Sequence, residues 1–167
     1  NPSACLLVDG ELVAMQEEER FVRVKTAPTY VPANAAHFCL RQAGLTLGDI
    51  DYIAVSWDAD KYISLMPKAY HDLRDKYGSK GALTDYSETS LVNYFQPDYM
   101  RLRIGNGLRH GRYFGELPEI RFMPHHLSHA ASAFYCSGFD EASILTIDGS
   151  GEEQCSVLWK GAGKEIS

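Results

Sequence analysis

Residues 123–134 read Met-Pro-His-His-Leu-Ser-His-Ala-Ala-Ser-Ala-Phe, and residues 144–152 read Ile-Leu-Thr-Ile-Asp-Gly-Ser-Gly-Glu. The first stretch predicts a helix of small residues over 127–135, preceded by closely spaced histidines. The second predicts an apolar strand that ends in an aspartate and a glycine-rich loop. An imidazole-bearing helix next to a strand that ends in a carboxylate indicates an α/β fold with a metal site.

His125 and His129 are the first two candidate ligands. Side chains four residues apart lie on one face of a helix, so these imidazoles are predicted to face a single ion. Asp148 is the third, because ligands of open α/β sheets bind beyond the carboxyl ends of strands. His126 points about 100° away from His125, and we predict a catalytic or supporting role for it. Packed histidines without a metal are the alternative.

Gly149, Ser150, Gly151 and Glu152 are predicted to contact an anion. Backbone N–H groups in a tight glycine-rich turn can face a negatively charged ligand. A simple hairpin turn is the alternative, because a short Gly-rich loop alone is weak evidence.

The composition is that of a soluble protein. The chain has 167 residues, 45% of them hydrophobic and 23% charged, with a net charge of −6. This charge argues against a nucleic-acid or membrane binder, and no apolar run approaches the roughly 20 residues of a membrane span. The four cysteines form no CxxC pair, which favours a reduced, cytoplasmic protein. Cys5 and Cys39 are predicted to be buried.

The remaining elements follow from periodicity and turn residues. Asp9-Gly10 predicts a type I′ turn in a β-hairpin, and Pro32 and Gly44 are predicted to bound a helix. Strands are predicted at 52–57, 119–123, 142–147 and 155–159, and helices at 61–77, interrupted at Pro67, and at 84–95.

Two charged segments allow two interpretations each. Residues 17–25 form either a solvated charged segment or an anchored one that presents its cations on one side. Residues 101–112 are rich in arginine and glycine, and predict either a solvated loop or an anion-contacting segment over the site.

Segments 3–25, 32–35, 125–134 and 148–152 together resemble the O-carbamoyltransferase family of nodulation-factor and antibiotic-tailoring enzymes. Residues 31–56 are also similar to the tRNA threonylcarbamoyl-transfer proteins. Those proteins usually continue with Gly-Pro-Gly, whereas this chain has Trp-Asp-Ala-Asp at 57–60. That difference and the doubled histidine favour the carbamoyltransferase branch.

The resemblance implies a two-lobed, actin/sugar-kinase-like (ribonuclease H-like) fold with a mixed sheet, incomplete in this chain. Residues 1–141 would form the first lobe, with a family-variable insertion at 58–119. Residues 142–167 would open the second lobe. An adenylate-forming C-terminal domain is expected outside the chain.

The resemblance also implies an activity. Carbamoyl phosphate and ATP would give carbamoyl-adenylate, whose carbamoyl group passes to a hydroxyl of a sugar or other small acceptor. His125, His129 and Asp148 would bind iron (Fe²⁺) or another divalent metal. Gly149, Ser150 and Gly151 would approach the nucleotide phosphate, where Mg²⁺ is possible. Residues 1–167 alone are expected to be inactive, because a family His-Asp pair and a later Asp ligand would lie outside them.

Two other functions stay open at this point. The chain could be the ATP-binding lobe of a kinase- or chaperone-like member of the same superfold, with structural histidines. It could also be a non-catalytic module that binds an anion through residues 101–112.

Overall fold

The computed structural model describes residues 1–78, 93–110 and 112–167, which form a mixed α/β structure. The strands make three small sheets, ordered β1–β2, β3–β4 and β5–β6–β7. In chain order the elements are β1 (Ser3–Val8), β2 (Glu11–Glu17), α1 (Glu19–Val22), α2 (Ala33–Ala43), a 3-10 turn (Leu47–Asp49), β3 (Tyr52–Val55), α3 (Ala59–Tyr77), α4 (Pro97–Arg109), β4 (Glu119–Phe122), α5 (His125–Phe134), β5 (Glu141–Ile147), β6 (Ser156–Ala162) and β7 (Glu165–Ile166).

The chain divides into two compact units, each with its own apolar cluster. The first unit comprises Asn1–Ile53 and Met100–Ile120, and the second comprises Ala54–Tyr99 and Arg121–Ser167. The division into lobes at residue 141 stays a prediction. None of the described helices is both long enough and apolar enough to cross a membrane.

The β1–β2 hairpin of the first unit confirms the predicted turn. Asp9 and Gly10 have φ angles of 52° and 86°, the left-handed conformation that a type I′ turn requires. Cys39 is buried as predicted, but Cys5 is exposed, so that prediction is wrong. Successive strand residues point to opposite faces, and the neighbouring Leu6 takes the buried face.

Helix α2 has the predicted bounds, since it follows Pro32 and ends at Gly44, whose φ is 70°. Pro32 provides no side-chain cap. The carboxylate of Glu18 takes that place and accepts hydrogen bonds from the backbone N–H groups of Asn34, at 3.4 Å, and Ala35, at 2.9 Å.

The solvated interpretation of residues 17–25 is wrong for both Glu18 and Glu19, which are buried. Glu19 accepts hydrogen bonds from the side chain of Lys25 and the backbone N–H of Thr26. These two contacts, led by Lys25, lower the pKa of Glu19.

Helix α4 replaces the loop that we predicted from the arginines and glycines of residues 101–112. An added Cβ at Gly105 would lie 2.7 Å from Leu117, and one at Gly107 would lie 2.7 Å from Val31. These glycines therefore permit close packing around a helix and do not mark a loop. Gly111 lies outside the described residues.

The second unit carries the helix and the strand that the histidine and aspartate motifs predict. Helix α3 runs through position 67, so the predicted interruption is wrong. The helix predicted at 84–95 lies mostly outside the described residues. The predicted hairpin of β5 with β6 is confirmed as antiparallel, with Ile144 opposite Trp159. Helix α5 packs on this sheet through Ala130 and Phe134.

Candidate metal centre

Helix α5 and strand β5 position the predicted ligands. The helix begins at His125, directly after Pro124, so His125 and His129 lie one turn apart on the same face. Strand β5 ends at Ile147, and Asp148 is the next residue. The backbone N–H of Met123 donates to the carbonyl of Val55, which anchors the segment before the helix next to the end of β3.

His125, His129 and Asp148 come together as a compact triad. The Oδ2 atom of Asp148 lies 2.9 Å from Nε2 of His125 and 3.1 Å from Nε2 of His129. The two Nε2 atoms are themselves 3.1 Å apart. The side chains of His129 and Asp148 are 49% and 43% exposed, whereas that of His125 is 18% exposed. Two of the three side chains, those of His129 and Asp148, are therefore open to solvent.

The protonation of His125 is determined by its other ring nitrogen. Nδ1 lies 3.1 Å from the backbone carbonyl of Ser56, which can only accept, so Nδ1 carries the hydrogen. In the neutral ring, Nε2 then presents a lone pair to the carboxylate of Asp148. A nitrogen lone pair that faces a carboxylate oxygen requires a cation between the two atoms. That cation is either a second proton on the ring or a metal ion.

The pKa shifts of His125 and Asp148 agree with this need for positive charge. Burial lowers the pKa of His125, but the hydrogen bonds to Asp148 and to the Ser56 carbonyl outweigh it, so the net pKa is raised. Hydrogen bonds from His125, the Gly149 N–H and His129 hold the pKa of Asp148 well below its ordinary range.

A comparison with known families now identifies the chain. The family model described as "Carbamoyltransferase N-terminus" matches residues 2–167. The chain belongs to this carbamoyltransferase family. The resemblance stated from the sequence is thereby confirmed.

Two curated relatives match the chain along nearly all of its length. An uncharacterized protein of Synechocystis is 31% identical over 99% of this chain and 26% of its own. The nodulation protein NolNO of Sinorhizobium fredii is 34% identical over 98% of this chain and 22% of its own. The chain thus spans about a quarter of the length of these relatives.

The donor set of this chain fits a divalent metal. Two imidazole nitrogens and one carboxylate oxygen lie within 4.8 Å of one another. Ligands about 2.1 Å from an ion and at right angles to each other are about 3 Å apart, which is the separation in the triad. Two histidines and one carboxylate with open positions are typical of non-haem Fe²⁺ sites. The Ser56 carbonyl supplies the outer hydrogen bond that metal-binding histidines usually make.

His126 lies outside the triad, as its position on the helix predicts. It is buried, its Nε2–H donates to the carbonyl of Gln154 at 2.8 Å, and its Nδ1 lies 2.9 Å from the hydroxyl of Thr146. The indole N–H of Trp159 donates to the same hydroxyl. The catalytic role of His126 stays a prediction, and its surroundings favour a structural one.

The Gly-Ser-Gly loop divides into an exposed and a buried half. Gly149 and Ser150 are exposed, whereas Gly151 and Glu152 are buried. The N–H of Gly149 donates to Oδ1 of Asp148, and that of Gly151 donates to the carbonyl of Gln154. Both N–H groups therefore already have acceptors in this conformation. The anion contact stays a prediction, and it is restricted to the exposed half.

The sequence did not reveal two groups around the triad, the Ser56 carbonyl and the ring of Trp57, whose centroid lies 5.1 Å from that of His125. Glu152 was predicted as an anion contact, whereas its carboxylate accepts a hydrogen bond from the His125 backbone N–H. A backbone carbonyl has no sequence pattern. For Glu152 an indirect indication exists, because a helix that begins after proline lacks a local cap and must find an acceptor elsewhere.

Proposed function

We propose that this chain is the N-terminal part of an O-carbamoyltransferase. The enzyme would move a carbamoyl group from carbamoyl phosphate, through carbamoyl-adenylate made with ATP, to a hydroxyl of a sugar or other small acceptor. The observation that carries this proposal is the triad of His125, His129 and Asp148 in a chain that the family model matches almost from end to end.

His125, His129 and Asp148 would hold Fe²⁺ or another divalent metal. Such an ion, when bound, polarises a carbonyl and stabilises negative charge that develops on its oxygen. The Ser56 carbonyl orients the His125 ring, and Trp57 packs against that ring. The exposed edge of His129 and Asp148 leaves room for the carbamoyl donor and the acceptor.

Gly149 and Ser150 would face a phosphate of ATP or of carbamoyl-adenylate, with or without Mg²⁺. Their exposure supports this assignment, although the Gly149 N–H would have to release the Asp148 carboxylate first. Gly151 and Glu152 are instead buried residues that hold the loop in place. His126 is assigned a supporting role.

The remaining assignments concern the fold of the whole protein and the activity of residues 1–167 by themselves. We propose the two-lobed actin-like fold, with the first lobe over 1–141, a variable insertion at 58–119 and the second lobe beginning at 142. We also expect residues 1–167 alone to be inactive, because a separate domain would form carbamoyl-adenylate.

The test is an assay of the full-length protein with labelled carbamoyl phosphate, ATP and a panel of sugar and small-molecule hydroxyl acceptors. His129→Ala is expected to lower carbamoyl transfer by about 100-fold or more while leaving carbamoyl-adenylate formation unchanged. The matched control is His110→Ala, because His110 is an exposed histidine that belongs neither to the triad nor to the loop of residues 148–152. Unchanged transfer in His129→Ala, together with no retained iron or zinc, would favour the kinase- or chaperone-like function.

A further inference from the structure

Glu152 is a buried carboxylate that contacts two distant backbone segments of the second unit. Its Oε1 accepts hydrogen bonds from the N–H groups of Asp58, at 2.7 Å, and His125, at 2.9 Å. Its Oε2 lies 3.2 Å from the same His125 N–H. The side chain is 6% exposed, so these contacts are shielded from water.

These two contacts satisfy backbone groups at the beginnings of two helices. His125 is the first residue of α5, and Pro124 before it offers no side-chain cap. Asp58 directly precedes α3, and its own carboxylate accepts from the N–H of Lys61. A negative charge at a helix N-terminus is stabilised by the helix dipole. One carboxylate therefore fixes the start of both helices.

The same carboxylate makes one of three contacts that surround His125. The loop of residues 148–152 begins with Asp148, which contacts the His125 side chain, and ends with Glu152, which contacts the His125 backbone. The carbonyl of Ser56, two residues before Asp58, holds the other side of the imidazole. His125 is thus fixed through three atoms, and Glu152 joins the same three segments that the His125 side chain joins.

We propose that Glu152 is a positioning residue of the metal centre. It holds the His125 backbone and the far end of the Asp148 loop, and so keeps the imidazole and carboxylate donors of the triad at their short separation. Glu152 is not itself proposed as a ligand, because it lies outside the group of donor atoms that His125, His129 and Asp148 bring within 4.8 Å of one another. This inference rests on the proposed function, since the triad must bind a metal.

The test compares the Co²⁺ affinity of full-length variants, measured by the visible absorbance of the bound ion and by calorimetry. Losing a group that supports metal ligands typically weakens binding by about 10- to 100-fold, and this is expected for Glu152→Ala. Glu152→Gln keeps one acceptor oxygen and should restore most of the affinity. Glu153→Gln is the matched control, because Glu153 is the exposed neighbour and pairs with Lys61. Its affinity should stay within about twofold of wild type.

Three results can be told apart. Weak binding in Glu152→Ala, recovery in Glu152→Gln and an unchanged Glu153→Gln support the inference, and the Co²⁺ spectrum of Glu152→Ala should also change. Equal affinity in wild type and a folded Glu152→Ala overturns the inference and leaves the metal site intact. No Co²⁺ binding by wild type overturns the metal site and this inference together. Circular dichroism checks folding, and if Glu152→Ala does not fold, Glu152→Asp takes its place: weaker Co²⁺ binding by this shorter carboxylate supports the inference, and wild-type affinity overturns it.

Discussion

His125 is constrained at its backbone nitrogen and at both of its ring nitrogens. The three partners are Glu152, Ser56 and Asp148, which come from two segments of the second unit, the loop of residues 148–152 and the chain after β3. An imidazole held in this way has one orientation and one hydrogen position. Such preorganisation means that little rotational freedom is lost when an ion binds to Nε2.

At the residue scale, Gly151 is required by its neighbour His126. A Cβ at Gly151 would lie 2.7 Å from Cδ2 of His126 and 3.0 Å from the carbonyl oxygen of Gln154, and neither atom can move freely. Gly151→Ala should therefore lower the free energy of unfolding by about 1–3 kcal/mol, measured by urea denaturation. Gly149→Ala is the control, because nothing lies within 4 Å of its added Cβ. Equal losses in both variants would contradict the packing role of Gly151.

At the element scale, helices α2 and α5 begin in the same way. Each follows a proline that provides no side-chain cap, and each receives a buried glutamate from another part of the chain. Glu18 contacts the first turn of α2, and Glu152 contacts that of α5. A remote cap fixes the position of the helix as well as its start, because it connects two segments of the fold. A local Ser or Asp cap would satisfy only the helix itself.

This capping can be tested on α2. Glu18→Ala would leave the N–H groups of Asn34 and Ala35 without their acceptor, and should cost about 2 kcal/mol of the free energy of unfolding. Glu17→Ala removes a neighbouring glutamate that pairs with the exposed Arg20, and should cost under about 1 kcal/mol. Urea denaturation at neutral pH measures both. A loss for Glu18→Ala no greater than that for Glu17→Ala would show that the cap contributes little.

Local sequence patterns predicted the elements that carry the triad and the triad itself. They did not predict the groups that hold the triad in place. The helical spacing of His125 and His129 and the strand end at Asp148 are properties of neighbouring residues, so the sequence revealed them. Ser56 and Glu152 act across long sequence separations, so no local pattern reveals the backbone carbonyl of Ser56, and the proline before α5 indicates only that some remote acceptor is needed, not that it is Glu152. The loop predicted at residues 101–112 was wrong for a related reason: Gly105 and Gly107 lie in a helix because of what packs against them.

At the scale of the whole molecule, the described units are small and rely on packing without covalent cross-links. All four cysteines are free thiols, and each unit has its own apolar cluster. The reduced state and the cytoplasmic location of the protein stay predictions. The four thiols also report on burial at positions in both units.

Thiol labelling should separate Cys39 from the other three cysteines. Cys5, Cys136 and Cys155 are exposed, whereas Cys39 is buried under the β1–β2 hairpin, where its Sγ lies 3.5 Å from the carbonyl of Ala4. A buried thiol reacts only after local or global opening, so Cys39 should be alkylated at least about tenfold more slowly than Cys136. Peptide mass spectrometry after timed alkylation measures each rate, and labelling in guanidinium chloride should make the four rates similar. Rapid native labelling of Cys39 would contradict the packing of α2 on the hairpin.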